Sequence, residues 1–163
     1  MDLARKYCQR YRELGPAGSD CDAQLLVADG KSGEAAALMR QRFGAQGRNT
    51  APRRARLARA LALSGDSAGA RAEVAAIEAE ARTHYVDGFW PAIAYTALGD
   101  RPRALAWLER ALTAHSANIP TMKRNLDLAP LRGDPGLESI ARRAGLSNGV
   151  TAGAPLTDRS TAR

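Results

Sequence analysis

Two glycines 34 residues apart, Gly65 and Gly99, each close a run of apolar residues at helical spacing, and the residues around them superimpose: Leu61 on Tyr95, Ala70 on Ala104, Val74 on Leu108 and Ile77 on Ala111. A period of this length with such contents is two helices and a turn. A small alanine lets the helices cross, a glycine lets the backbone turn left-handed, and larger apolar residues reach the next unit. Such a unit buries its outer face only against a neighbour, so the period constrains the whole chain. A degenerate copy is placed around Gly30, with Ala35 and Met39 at the matching positions and a spacing of 35 to Gly65.

Composition agrees with helices. Of 163 residues, 45% are hydrophobic and only 5% aromatic. The apolar content is mostly Ala and Leu, which favour helix, and no stretch alternates apolar with polar residues as a half-buried strand does. The expected fold is all-α, an antiparallel helix-hairpin solenoid with terminal capping helices. One domain is expected over residues 1–146. Its clearest repeats are 51–84 and 85–118, with a degenerate repeat over 16–49, a C-terminal cap over 119–146, and a disordered tail over 147–163 that is small, polar and rich in Gly and Thr.

Local signals set the helix ends. A first helix is expected from Asp2 to Leu14, stopped by Gly15-Pro16, and a second from Asp20 to Ala28. A third runs from Ser32 to Phe43, with 44–49 a loop. Thr50 or Asn49 caps a fourth, with Pro52 in its first turn, where a missing N–H costs little. Ser67 to Thr83 forms its partner. From Asp87 the pattern recurs, although Pro91 must either kink the next helix or delay its start. A short helical stretch to Leu126, an irregular 129–133 and a last helix opened by Asp134-Pro135 complete the chain.

The stretches 84–87, 94–100, 103–111, 130–135 and 142–146 (among them Ala94-Tyr95-Thr96-Ala97-Leu98-Gly99-Asp100, Pro130-Leu131-Arg132-Gly133-Asp134-Pro135 and Arg142-Arg143-Ala144-Gly145-Leu146) resemble the C-terminal end of bacterial tetratricopeptide arrays. Such arrays are often appended to winged-helix regulators, adenylate cyclase-like proteins or kinases. The resemblance covers Arg53 to Leu146. No DNA-binding, cyclase or kinase module accompanies it here, so those activities are not implied. Ser116 stands where the repeat usually ends in Pro, and Gly88 and Arg54 replace the usual large residue early in the first helix.

The resemblance implies a groove lined by the first helices of successive repeats. Its register places Pro52, Ala55, Arg59 and Ala62 beside Val86, Phe89, Ile93 and Thr96, so Arg59, Ala62, Val86, Phe89, Ile93 and Thr96 are the candidate partner-binding residues. Members that grip a C-terminal carboxylate use Lys and Asn at such positions. Only Arg59 is cationic here, which leaves a mostly apolar groove for a hydrophobic or helical peptide, for the chain's own N-terminal helix, or for a second copy in a homodimer.

The formal net charge of +7 is concentrated locally. Arg53, Arg54 and Arg56, with Arg59, form a basic run that could meet nucleic acid or another polyanion, although no interleaved aromatic residues would stack on bases. His84 and His115 have no nucleophile motif beside them, and Cys8 and Cys21 fit neither a metal site nor a redox motif and are expected as idle thiols. No catalytic, cofactor or metal residues are assigned. No apolar run suggests a signal peptide or membrane span, which makes a cytoplasmic protein the expectation. The expected function is a non-catalytic scaffold that binds a protein or peptide. Polyanion binding is the alternative, and a further one is a detached interaction module of a longer signalling or transcription regulator.

Overall fold

The structure, a computed structural model, describes residues 6–10, 19–46 and 50–146. The expected tail over 147–163 and most of the expected first helix lie outside these residues. Residues 6–10 are helical, and they are followed by α1 (Ser19–Ala28), α2 (Ser32–Gln46), α3 (Ala51–Leu63), α4 (Ser67–Glu80), α5 (Phe89–Ala97) and α6 (Arg101–Thr113). Two 3-10 turns, η1 (Ile119–Thr121) and η2 (Leu126–Leu131), lead to α7 (Pro135–Arg143). The described residues are all-helical, without a strand.

Consecutive helices pair as α1 with α2, α3 with α4, and α5 with α6, while α3 also packs on α2 and α5, and α5 on η2. The turns within the last two pairs share one chemistry. Gly65 and Gly99 take φ of +90° and +75°, and the amides of Asp66 and Asp100 donate back to the carbonyls of Leu61 and Tyr95 at 2.9 and 3.0 Å. A left-handed residue of this kind ends a helix and satisfies its free carbonyls. The same aspartates then cap the next helix, accepting from the amides of Gly69 at 2.8 Å and Arg103 at 3.2 Å. Gly133-Asp134 repeats the pair a further 34 residues on, with Gly133 at φ +79° and Asp134 capping α7.

At three places the structure changes a boundary or decides between the expected ones. α2 continues past Gly44 to Gln46, since one interior glycine costs a helix only about 1 kcal/mol. Pro91 delays α5, which starts at Phe89 and so holds the proline in its first turn, where no intrahelical bond is lost. Asp87 takes over the start, accepting from the Phe89 amide at 3.0 Å. Its other oxygen accepts from Ser116 Oγ at 2.7 Å and Asn118 Nδ2 at 2.8 Å, which ties the end of α6 to the start of α5. The third difference is at 119–131, where the expected short helix and irregular stretch are two 3-10 turns that bury Ile119, Met122, Leu128 and Leu131.

The cysteines are a correction. Cys8 and Cys21, expected as idle thiols, form a disulfide with a Cα–Cα separation of 5.5 Å. The pairing needs helix 6–10 and α1 to lie side by side, a tertiary fact that sequence spacing does not carry. For a closed loop of this size such a bond stabilises the fold by about 3 kcal/mol.

At Gly88 the start of α5 meets α6 backbone to backbone. A Cβ there would clash with the Trp107 carbonyl oxygen and stand 3.1 Å from the Ala111 nitrogen. Gly88→Ala should therefore cost about 1–3 kcal/mol, read as a lowered urea midpoint. An unchanged midpoint would show that α5 and α6 are not in this close approach.

Candidate functional site

α5 is the most enclosed helix, packed on α3, α4, α6 and η2. Of the six residues that the groove register singled out, Val86, Phe89, Ile93 and Thr96 are buried, with Phe89 and Ile93 each 1% exposed, and Ala62 is half-buried. The Thr96 hydroxyl donates to the Ala92 carbonyl at 2.7 Å. These positions are core in a helix that packs on α3, α4, α6 and η2.

Arg59 is the exception. Its Nε lies 2.9 Å from Asp127 Oδ1, with the two side chains 23% and 29% exposed. The pair joins α3 to η2, the two elements that flank α5. Leu63 lies one turn beyond Arg59 on α3 and is 50% exposed, and Leu126, beside Asp127, is 74% exposed. An exposed leucine thus stands close in the chain to each partner of this half-buried ion pair. Half-buried Trp90, at the start of α5, stacks edge to face with Phe89 at 5.8 Å between ring centroids and carries the Arg56 guanidinium 5.1 Å above its own ring.

The other arginines of α3 are also engaged within the molecule. Arg53 lies over the Phe43 ring of α2 at 5.8 Å, and Arg54 Nη1 is 2.8 Å from Glu73 Oε2 of α4. Arg53, Arg54, Arg56 and Arg59 therefore reach α2, α4, α5 and η2 respectively, and the sequence run does not form one uncommitted basic surface. Sequence reasoning missed Leu63, Leu126 and Asp127. The available signal was a leucine, Leu63, just outside the buried stripe of α3; for Leu126 and Asp127 no local signal existed.

The remaining polar groups lie elsewhere. His84 is exposed with Nδ1 2.8 Å from Thr83 Oγ1, and exposed His115 holds a left-handed φ of +53° after α6. Beside His115 lies a cavity of about 480 Å³, lined by Leu112, Ser116, Ile119 and Arg143 among others, where the Ser116 hydroxyl is given to Asp87 and Arg143 pairs with Glu109. Between α4 and the α5–α6 turn a smaller cavity of about 140 Å³ is lined by Arg71, Glu78, Tyr95 and Arg103. Buried Tyr95 donates to Glu78 Oε1 at 2.6 Å, with Arg103 over its ring at 5.5 Å. Among the described residues no cluster of metal-binding side chains occurs, and no helix is long and apolar enough to cross a membrane.

The described residues are all-helical, and their exposed large apolar side chains are Tyr7, Leu63, Tyr85 and Leu126. No family model, curated protein or solved structure matches the chain.

Two outcomes follow. A double-mutant cycle on Arg59→Ala and Asp127→Ala should give a coupling of about 0.5–1 kcal/mol that shrinks in high salt; zero coupling would mean that α3 and η2 are not tied there. Burial first, and then the hydrogen bond to Glu78, push the Tyr95 hydroxyl up to about 12. Because this lies above the ordinary value of about 10, the neutral tyrosine's stabilisation is complete below pH 10 and is lost as pH rises through about 12. Phenolate absorbance should show this late ionisation, moved to lower pH but still raised in Glu78→Gln. A tyrosine that ionises at its ordinary pH in the folded protein would contradict the buried hydrogen bond.

Proposed function

We propose that this chain is a non-catalytic interaction scaffold of the tetratricopeptide kind, which binds a protein or peptide on the face shared by α3, α5 and η2. The observation that carries the reading is two exposed leucines next to the Arg59–Asp127 bridge in the chain, Leu63 one helical turn after Arg59 and Leu126 immediately before Asp127. Exposed apolar side chains beside a polar pair are the mixed composition of a recognition surface. The 34-residue period and the stacked pairs, α3 with α4 and α5 with α6, support the repeat reading.

The bound segment sits on the outside of α5, over the leucines, and not in a groove between α3 and α5, whose side chains are core. Glu substitutions at Phe89 or Ile93 would test folding, whereas those at Leu63 and Leu126 test binding. Polyanion binding is the weaker alternative, since each arginine that suggested it already has a partner inside the fold.

A photo-reactive residue placed at Leu63, at Leu126 and, as a control, at exposed Ala72 on α4 provides the test in source-cell extract. The same protein should be captured from the two leucine positions and not from Ala72. Its binding to purified chain should fall at least tenfold in Leu63→Glu, Leu126→Glu, with helix content unchanged by circular dichroism. Equal capture from all three positions, or full affinity in the double variant, would remove this face from consideration.

A further inference from the structure

The cavity of about 480 Å³ at the end of α6 has no lining residue in α3, α5 or η2, so it is separate from the proposed binding face. Its apolar wall is Leu112, Ile119, Pro120 and Ala144, and its polar lining is His115, Ser116 and Arg143. Pockets of about 300–1,000 Å³ with mostly apolar walls and a few placed polar groups are the usual sites for small molecules.

His115 holds a position that the fold elsewhere gives to glycine. The helices α1, α3, α5, α6 and α7 end in the same turn, in which two successive amides donate back to carbonyls of the last helical turns. The left-handed residue of that turn is Gly30 in α1, Gly65 in α3, Gly99 in α5 and Gly145 in α7. In α6 it is His115, at φ +53°, whose amide donates to the Leu112 carbonyl at 3.0 Å, while the Ser116 amide reaches the Ala111 carbonyl at 2.9 Å. Among the described residues no other non-glycine residue has a positive φ. A side chain in this conformation costs stability that glycine avoids. The exposed His115 imidazole makes no hydrogen bond or ion pair among the described residues that would offset that cost. Strained backbone of this kind clusters where residues hold ligands.

The polar lining decides which ligand fits. The Ser116 hydroxyl is already engaged, donating to Asp87 Oδ2 at 2.7 Å and accepting from the Asn118 amide at 3.1 Å. Arg143 directs two N–H groups at Glu109, one from each Nη, and a guanidinium has others to give. No carboxylate lines the cavity. The groups left open are therefore N–H donors on basic side chains, whose strongest partner is an ionised acceptor.

We propose that this cavity binds a small organic acid, with its apolar body against Leu112, Ile119 and Pro120 and its carboxylate on His115 and Arg143. The site stands independently of the protein-binding reading.

The test is titration of the isotope-labelled full chain with 2-naphthoate, followed by amide chemical shifts. Shifts should be confined to residues 112–120 and 140–146, and the uncharged 2-naphthamide should bind at least tenfold more weakly. His115→Gly should lose at least tenfold in affinity for 2-naphthoate while its urea midpoint holds or rises, because glycine takes the left-handed turn without strain. Absence of a saturable shift, equal affinity for acid and amide, full affinity in His115→Gly, or a lowered midpoint in that variant would each overturn the site. Tighter binding of a pentapeptide that ends in a free Phe carboxylate would also overturn it, by assigning the cavity to protein C-termini.

Discussion

Everything in the fold follows from how closely the neighbours of α3 approach it. Four of its buried residues are alanines, Ala51, Ala55, Ala58 and Ala60, so helices can approach its backbone and large side chains are needed only at Leu57 and Leu61. A close-packed interior loses attractive contacts with even a small gap, which makes this alanine face the most demanding part of the structure. The arginines between and beside these alanines cover the joints. Their stems lie along apolar surface while their heads reach Phe43, Glu73, Trp90 and Asp127. Magnitudes settle which effect holds the helices together. An exposed ion pair or stacked cation contributes about 0–1 kcal/mol, whereas full burial of one Leu contributes about 1.5–3 kcal/mol. The arginines choose geometry and leave stability to the alanines and leucines.

That division explains why net charge was a poor guide. A run such as Arg53-Arg54-Ala55-Arg56 reads as a basic patch in one dimension, but on a helix successive residues are turned about 100° apart and face different neighbours. The same geometry shows what was legible. The hairpins were, because Gly65-Asp66 and Gly99-Asp100 write both the stop of one helix and the cap of the next into two residues. Gly133-Asp134 carries the same message at the same period and was readable too. It is masked by the helix after it, where Leu137 is buried at the position before the one that Ala70 and Ala104 occupy. The turn repeats while the packing register slips by one.

The candidate site was much less legible, for a physical reason. Whether Phe89 and Ile93 line a groove or fill a core depends on what packs on α5, and that includes η2, a segment with Pro120 ahead of it and Pro130 within it and no helical period. Irregular segments obey no spacing rule, so their contacts are decided by tertiary packing. The disulfide was hidden for a related reason. A separation of 13 residues fits no motif, and only the arrangement of two helices brings the sulfurs together.

The two ends of the chain solve one problem differently. Among the described residues the substantial contacts run between elements close in the chain, so the first and last helices have the fewest neighbours. Towards the C-terminal end of the described residues, η2 and α7 bury Leu128, Leu131, Leu137 and Ile140, with Lys123–Glu138 tying the segment before η2 to α7. Towards the N-terminal end α1 buries Ala23, with Leu26 and Val27 half-buried, and a covalent bond joins it to helix 6–10. The region beside η2 is therefore held by hydrophobic contact and ion pairs, whereas at the other end a covalent bond joins two short helices whose own burial is small.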